Sequence, residues 1–179
     1  MTVLALIRHM PTAWNAAGRL QGREDLPLAV EMAPDWVVPP ELNGFRWLTS
    51  PLRRAVGTAH RLGIADPTIE PRLAEMGWGE WEGETVAGLR ARLGTEMAMA
   101  EAAGLDLRPP GGESPREVLA RVQGWMSGLE GATLAVTHRG VIRAIFAAAA
   151  GWDLVGKPPA GRIGDFKISL AEWSLHNAL

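Results

Sequence analysis

The sequence predicts an α/β fold with a largely parallel sheet, because short apolar strands alternate with helical segments along the chain. The first apolar run, Val3–Ile7, ends at Arg8-His9 and is followed by Pro11, which has no N–H to give to a central strand. A later run, Thr133–Thr137, ends in the same way at His138-Arg139. Both runs are interpreted as short buried strands.

Capping and turn residues predict the elements between these strands. Phe45–Thr49 is interpreted as a strand, after which Ser50 as N-cap and Pro51 at the first helical position begin a helix that ends near Leu62. A capping box at Ser114-Pro115-Arg116-Glu117 predicts a helix to about residue 129. Glycine and proline break residues 11–40 into a long loop, a kind that is often functional. The other predicted elements are a helical turn at 29–32, helices over 85–93, 95–103 and 141–150, and a late edge strand over 166–170.

The composition is that of a single globular domain of 179 residues, with 47% hydrophobic and 21% charged residues. The net charge of −2 argues against a surface for nucleic acid or for an anionic membrane. The absence of cysteine excludes disulfides, thiolate metal sites and cysteine nucleophiles. The apolar N-terminal stretch is too short for a signal peptide, and the run 145–150 is too short to cross a bilayer. We therefore expect a cytoplasmic enzyme or binding domain with neither nucleic acid nor membrane as partner.

His9 and His138 are both expected at the carboxyl edge of the sheet, where open α/β folds bind ligands. Each has an arginine beside it, and the second strand leads to Arg53 and Arg54 at the same edge. Two histidines with several fixed cations suit phosphoryl transfer, which needs an in-line nucleophile and donors that hold spread negative charge. Neutral imidazole can attack without first losing a proton, whereas the leaving alcohol needs a proton from a carboxylic acid of raised pKa. Composition alone does not choose that acid among 20 acidic residues.

Five stretches of the chain resemble, in order, the motifs of one family. They are Arg8-His9-Met10-Pro11-Thr12-Ala13-Trp14-Asn15 with Gly18-Arg19-Leu20-Gln21-Gly22 and Asp25; Ser50-Pro51-Leu52-Arg53-Arg54-Ala55 with Thr58-Ala59; Leu73-Ala74-Glu75 with Gly79 and Trp81-Glu82-Gly83; Gly111-Gly112-Glu113-Ser114; and Val136-Thr137-His138-Arg139-Gly140-Val141. Together they resemble the signature of the histidine phosphatase superfamily, also called phosphoglycerate mutase-like, from residue 3 to about 146.

By this resemblance His9 is the nucleophile that becomes phosphorylated, and Arg8, Arg54 and His138 complete the phosphate pocket. Glu75 is implied as the acid that protonates the leaving oxygen. The family implies two steps, a phosphohistidine intermediate and its hydrolysis, with no metal or organic cofactor. It also implies a three-layer sandwich with a central, mostly parallel sheet and helices on both faces.

Other positions follow from the same motifs. Glu82 is the alternative to Glu75 as the acid. Residues 72–112 are expected to form a loop and helix insertion that borders the active site, within one domain spanning 1–179. The substrate-binding residues that the resemblance implies are Asn15, Gln21, Gly22, Arg8 and Arg54.

The sequence departs from the family pattern at three places. Met10 stands where a glycine usually follows the histidine, so we expect its side chain close to the pocket, where it restricts the backbone and affects substrate preference. Ala13 replaces a common glutamate, and Pro34, Pro39 and Pro40 interrupt the usual helix between the first two motifs.

The expected function is that of a phosphomonoesterase for a small phosphorylated metabolite. A phosphoglycerate mutase is the alternative, but the short stretch 84–110 has only Arg90, Arg92 and Arg108 as cations for a second acidic group. A phosphoprotein phosphatase or a catalytically silent phosphate-binding module are further alternatives. The chain length and the Trp-Glu-Gly motif resemble alpha-ribazole phosphatases and broad-specificity phosphatases, and the sequence does not decide between them. The eight tryptophans allow a homodimer, since some can serve as subunit contacts.

Overall fold

The computed structural model describes residues 3–159. Within that range one sheet has four strands in the spatial order β1-β4-β2-β3, and all three pairings are parallel. The α/β fold with a parallel sheet is therefore confirmed. The strands are β1 (Val3–Arg8), β2 (Arg46–Thr49), β3 (Thr68–Ile69) and β4 (Ala132–Thr137).

Helices fill the connections between these strands. They are α1 (Ala13–Ala16), α2 (Arg53–Arg61), α3 (Val86–Leu93), α4 (Thr95–Ala102), α5 (Pro115–Met126) and α6 (Arg139–Ala150). Short 3-10 turns lie at Val30–Met32, Pro40–Leu42, Pro71–Leu73, Gly79–Trp81 and Gly104–Asp106. The predicted helices over 85–93, 95–103, 115–129 and 141–150 are all present, and α5 begins with the expected capping box. Two short elements were not predicted: β3 has two exposed residues, and α1 is a single turn inside the loop 11–40.

The predicted start of α2 was wrong. The helix begins at Arg53 with Leu52 at the N-cap position, and no side chain caps it. Ser50 is still part of the sheet edge, because its N–H donates to the Val136 carbonyl of β4 at 2.9 Å. The chain therefore needs two more residues to turn into the helix, and the Ser50 hydroxyl is available for another role.

Side chains of β1 alternate between two apolar layers. Leu4 and Leu6 belong to a core that also contains residues of α5 and α6. Ala5 and Ile7 belong to a second core that also contains alanines of α2. The sheet is thus covered by helices on both faces, which is the three-layer sandwich that the motifs implied and the reason why its strands are continuously apolar.

The strand register brings three residues to the same edge of the sheet. Arg8 lies opposite Thr137, and the N–H of His9 donates to the Thr137 carbonyl at 2.9 Å. Thr49 lies opposite Val136 on the other side of β4. The next residue of each strand, namely His9, His138 and Ser50, therefore emerges at the carboxyl edge of three adjacent strands.

Some predictions lie beyond this description. The late strand predicted over 166–170 lies outside the described residues, and the division that treats 72–112 as an insertion stays a prediction. Between residues 3 and 159, no helix has the length and apolarity needed to cross a membrane. In the same range, no group of three or more acidic and histidine side chains is arranged to hold a metal ion.

Candidate active site

His9 is held as a neutral ring with one nitrogen available for attack. It is 5% exposed, and its Nδ1 lies 2.7 Å from the carbonyl oxygen of Met10. Since a carbonyl can only accept, Nδ1 carries the proton and Nε2 keeps the lone pair. Burial, followed by the nearby charge of Arg54, lowers the pKa of His9 to about 3. The imidazole is therefore unprotonated at neutral pH, as a nucleophile must be.

His138 lies directly beside His9, with the two ring centroids 5.1 Å apart and the planes tilted by 52°. Burial, and then the charge that His9 would carry, lower the pKa of His138 well below the usual value. Its Nε2 is 2.7 Å from Oγ of Ser50, while its buried Nδ1 has no hydrogen-bond partner among the described residues. A ring whose Nε2 accepts the Ser50 hydroxyl proton carries its own proton on Nδ1, which can then donate to a phosphoryl oxygen.

Sequence reasoning missed this role of Ser50. A serine before a proline is commonly a helix N-cap, so the sequence suggested that role for Ser50. Its hydrogen bond to His138, 88 residues further along the chain, was therefore not expected. The signal that could have found it is positional. Ser50 follows β2 directly, just as His9 and His138 follow β1 and β4.

Arg54 is a fully buried cation, with 0% of the residue exposed. Its Nη1 donates to the Glu24 carbonyl at 2.7 Å and its Nη2 to the Gly22 carbonyl at 2.8 Å, while Nε has no partner among the described residues. Burial lowers the pKa of Arg54, and the nearby carboxylate of Glu75 opposes that shift. A buried charge that is held by carbonyl dipoles favours binding of an anion beside it.

Arg8 brings a second cation to the same place. Its charge helps to lower the pKa of His9, so the guanidinium is near the nucleophile. Burial and then the charge of Arg139 lower the pKa of Arg8, and the carboxylate of Glu75 raises it. Because a guanidinium stays charged even so, Arg8 and Arg54 together supply fixed positive charge around His9.

Glu75 is the acidic group of the site. Its buried carboxyl accepts from the N–H of Met76 at 2.8 Å and from the N–H of Gly140 at 3.1 Å, both at Oε1. Burial raises the pKa of Glu75, against the opposing effects of those hydrogen bonds and of Arg54 and Arg8. Any Cβ at position 140 would come within 2.5 Å of Oε1, so the glycine lets the carboxyl approach the chain beside His138.

Glu82, the alternative acid, has a structural role. Its Oε1 accepts from the backbone N–H of Arg23 at 2.8 Å and of Trp78 at 3.1 Å, so it joins two loops. Gly22 fits beside it with a φ of +54°, since a Cβ there would overlap the Glu82 carboxylate. Glu75 is buried and its pKa is raised by that burial, as a proton donor needs.

Three of the predicted substrate contacts, Asn15, Gln21 and Gly22, lie around one hydrogen-bonded cluster. The hydroxyl of Thr12 is 2.8 Å from Oε1 of Gln21 and 3.1 Å from Oδ1 of Asn15. Asn15 also accepts from the Thr12 N–H, which completes the capping box of α1. The carbonyl of Gly22 accepts a hydrogen bond from Nη2 of Arg54. Direct substrate contact by Asn15, Gln21 and Gly22 stays a prediction, whereas their support of the nucleophile loop and of Arg54 is observed.

The expectation that the Met10 side chain lies close to the pocket stays a prediction. Met10 is only 1% exposed and lies in the interior. Its N–H donates to Oγ1 of Thr58, whose hydroxyl donates to the carbonyl of Arg54, so the nucleophile loop is tied to α2. The backbone at position 10 does not need glycine, because the φ of Met10 is not positive. In the described range, Leu154 is the one non-glycine residue with a positive φ. Met10 therefore orients His9 through its backbone.

Arg121 is a further residue that sequence reasoning did not single out. Its Nη2 donates at 2.6 Å to the carbonyl of Ala74, the residue before Glu75. Arg121 lies in α5, 46 residues along the chain from Glu75, and one sequence gives no sign that this helix arginine differs from Arg116.

Comparison with known proteins gives one consistent result. The family model described as histidine phosphatase superfamily (branch 1) matches residues 4–174. The chain is 30% identical to the glucosyl-3-phosphoglycerate phosphatase of Mycobacterium tuberculosis over 183 residues, which covers 90% of this chain and 81% of that protein. It is 32% identical to a 2,3-bisphosphoglycerate-dependent phosphoglycerate mutase of Gloeobacter violaceus, over 68% of this chain and 60% of that protein.

Solved structures agree with these matches. A mycobacterial glucosyl-3-phosphoglycerate phosphatase in complex with VO3 has a TM-score of 0.70 at 28% identity, covering 88% of this chain and 86% of that one. A phosphoglycerate mutase from Thermus thermophilus has a TM-score of 0.65 at 33% identity, covering 87% and 88%. The ordered motifs, the fold and the family match lead to one conclusion: the chain belongs to the histidine phosphatase superfamily.

Proposed function

We propose that this protein is a phosphomonoesterase that hydrolyses a small phosphorylated metabolite through a phosphohistidine intermediate, without a metal ion. The observation that carries the proposal is the buried, neutral His9, whose ring lies beside that of His138 with the charges of Arg54 and Arg8 nearby. The family match and the relatives named as phosphatases support hydrolysis of phosphoric monoesters.

In the first step Nε2 of His9 attacks phosphorus. The P–N bond forms while the bond from phosphorus to the ester oxygen breaks, and the leaving oxygen takes its proton from the Glu75 carboxyl. Arg8, Arg54 and the Nδ1–H of His138 hold the three other phosphoryl oxygens as their negative charge redistributes. The raised pKa of Glu75 favours the protonated form that this step requires.

In the second step water attacks the phosphorylated His9. The Glu75 carboxylate, having lost its proton, accepts one from the water as the new P–O bond forms and the P–N bond breaks. Inorganic phosphate leaves, and both His9 and Glu75 return to their starting protonation states. One carboxyl thus serves as acid and then as base.

The ion pairs of the segment 84–110 favour hydrolysis over the mutase alternative. Its three cations are Arg90, Arg92 and Arg108, and each of them is paired with a carboxylate at the surface. A mutase needs free cations to hold the second acidic group of a bisphosphate. A silent binding module is disfavoured because His9, His138 and Glu75 all have the surroundings that their catalytic roles need.

Replacing Glu75 by glutamine tests the acid role. We expect kcat/KM for alkyl phosphates, whose leaving alkoxides need a proton, to fall about 10²- to 10⁴-fold. For p-nitrophenyl phosphate, whose leaving group is stable without a proton, the fall should be about tenfold or less. Steady-state rates without added metal measure both. Glu82→Gln is the matched control, since the structure gives Glu82 a loop-joining role.

Three outcomes would contradict these assignments. An equal loss on both ester classes would remove Glu75 from the acid role. A wild-type protein that turns over no ester in a panel of sugar phosphates, phosphoglycerates, alpha-ribazole phosphate and phosphopeptides would favour the silent binding module. Strong preference for the phosphopeptides would favour the phosphoprotein phosphatase alternative.

We further propose that the substrate carries a second anionic group close to its phosphate. Arg23 supports this, because its half-exposed guanidinium is 3.4 Å from the Glu113 carboxylate and its charge is near enough to lower the pKa of His138. A long, weak ion pair of this kind is worth little and can be exchanged for a ligand carboxylate. Two relatives are named for phosphoglycerates, which bear such a carboxylate.

Replacing Arg23 by glutamine should raise KM for 3-phosphoglycerate about tenfold and leave KM for glycerol 3-phosphate unchanged, because one charge-assisted hydrogen bond is lost. Parallel measurement of the two esters isolates the carboxylate. Arg90→Gln removes a surface cation that is already paired with Glu101 and is the control. Equal changes on the two esters, or none on either, would dismiss a role for Arg23 in substrate choice.

A cytoplasmic location and a homodimer stay predictions.

A further inference from the structure

We infer that Arg121, together with Glu113, is a positioning residue that sets where the Glu75 carboxyl lies, and so controls protonation of the leaving group. The inference rests on the proposed phosphomonoesterase activity and on the acid role of Glu75. It adds to them two residues that act on Glu75 through the backbone; Glu113 also pairs with Arg23, and the charge of Arg121 is near enough to lower the pKa of His138.

The guanidinium of Arg121 forms hydrogen bonds with the backbone on the N-terminal side of Glu75. Its Nη2 donates to the carbonyl of Ala74 at 2.6 Å, and its Nη1 donates to the carbonyl of Arg72. The carbonyl between them, that of Leu73, accepts from the Thr137 hydroxyl at 2.8 Å. Three successive carbonyls before Glu75 are thus each held by a side chain, although the segment belongs to no α-helix or strand.

Glu113 fixes Arg121 and the chain on the other side of Glu75. Its carboxylate accepts from Nε of Arg121 at 2.8 Å and from Nη2 at 3.2 Å, in a two-pronged ion pair whose partners are both 19% exposed. The backbone N–H of Glu113 donates to the carbonyl of Gly77 at 2.8 Å, and its side chain accepts from the Gly77 N–H at 3.4 Å. Bidentate pairs of this kind have fixed geometry.

These contacts leave two residues, Glu75 and Met76, between two segments of backbone that are held by hydrogen bonds. Its carboxyl then depends on the backbone around it to reach the N–H groups of Met76 and Gly140. A general acid must lie within hydrogen-bond reach of the leaving oxygen, and a displacement of about 1 Å can cost about 10²-fold in rate. Arg121 uses four donor directions for this purpose, and the compact ammonium of a lysine cannot reproduce them.

The test is Arg121→Gln, assayed on the same two ester classes as Glu75→Gln. We expect kcat/KM for alkyl phosphates to fall about 10²-fold and that for p-nitrophenyl phosphate to fall less than about fivefold. In the double variant with Glu75→Gln, the Arg121 substitution should bring no additional loss on alkyl phosphates, because it acts through Glu75. The control is Arg116→Gln, which removes another bidentate arginine of α5, paired with Asp106 at the surface.

Several results would overturn the inference. Equal losses on both ester classes, or a full further loss in the double variant, would show that Arg121 merely supports the fold. If Arg121→Gln does not fold, Glu113→Gln replaces it, and the same selective loss on alkyl phosphates is expected, at a smaller size. A Glu113 variant with no selectivity would equally refute the inference. The wild-type and Glu75→Gln rates test the proposed function separately, since neither involves Arg121.

Discussion

His9→Ala is expected to lower kcat/KM for every phosphomonoester by about 10⁴- to 10⁶-fold, because the variant has no group that can form the P–N bond. Among the described residues, His138 is the histidine whose ring lies beside His9, with the two ring centroids 5.1 Å apart. Its Nε2 is engaged by Ser50, and in the proposed mechanism it donates to the phosphoryl group instead of attacking it. Steady-state assays across the ester panel measure the loss.

Trapping the intermediate makes this expectation sharper. Wild-type enzyme quenched in alkali during turnover of a ³²P-labelled ester should retain label in a form that is stable to base and labile to acid, as a phosphohistidine is. His9→Ala should retain none. The matched control is His60→Ala, which removes the exposed histidine of α2 and should keep both activity and labelling. Label that persists in the His9 variant would refute this residue as the nucleophile.

Arg54→Met is expected to lower kcat/KM about 10³-fold, by analogy with guanidinium groups that stabilise a phosphoryl group in transfer. The substitution removes a fully buried positive charge and leaves the carbonyls of Glu24 and Gly22 without their donor. Both effects act on phosphate binding, the first directly and the second through the loop that carries Gly22. Titration calorimetry with inorganic phosphate should show binding to the wild type and none to the variant.

Arg53, the residue directly before Arg54, provides the matched control. Arg53 lies on the same first turn of α2 but is exposed, so Arg53→Met should change kcat/KM less than about threefold. Similar losses in the two variants would show that the general positive charge of this region, rather than the buried Arg54 itself, supports turnover. Circular dichroism checks that each variant is folded before rates are compared.

The parts of this site that follow from local sequence could be predicted, and the parts that depend on distant contacts could not. His9 and His138 were placed together correctly because a parallel sheet brings the ends of its strands to one edge. The Ser50 contact with His138 and the Arg121 contact with Ala74 join positions far apart in the chain. Ser50 also carried a competing signal, since Ser-Pro is a common helix start.

Met10 shows a second kind of feature that could not be predicted from the sequence. The residue type and its place after the nucleophile suggested a role for its side chain, whereas the structure shows a backbone hydrogen bond that joins the end of β1 to α2. Its burial, and the use of its N–H and carbonyl by Thr58 and His9, emerge only once those elements are assembled. The two-residue strand β3 was not predicted for a similar reason. It is defined by its pairing with β2, and two residues are too few to show a hydrophobic periodicity in the sequence.

The pairing of β1 with β4 has a consequence for folding. These adjacent strands are far apart along the chain, with Val3 opposite Ala132. Closing such a long loop is slow, so this pair is expected to limit the folding rate. Because His9 and His138 extend the same two strands, phosphate bound as proposed would join two distant parts of the chain. Bound at 100 times its Kd, phosphate stabilises the fold by about 2.7 kcal/mol, and amide exchange in both strands should slow together.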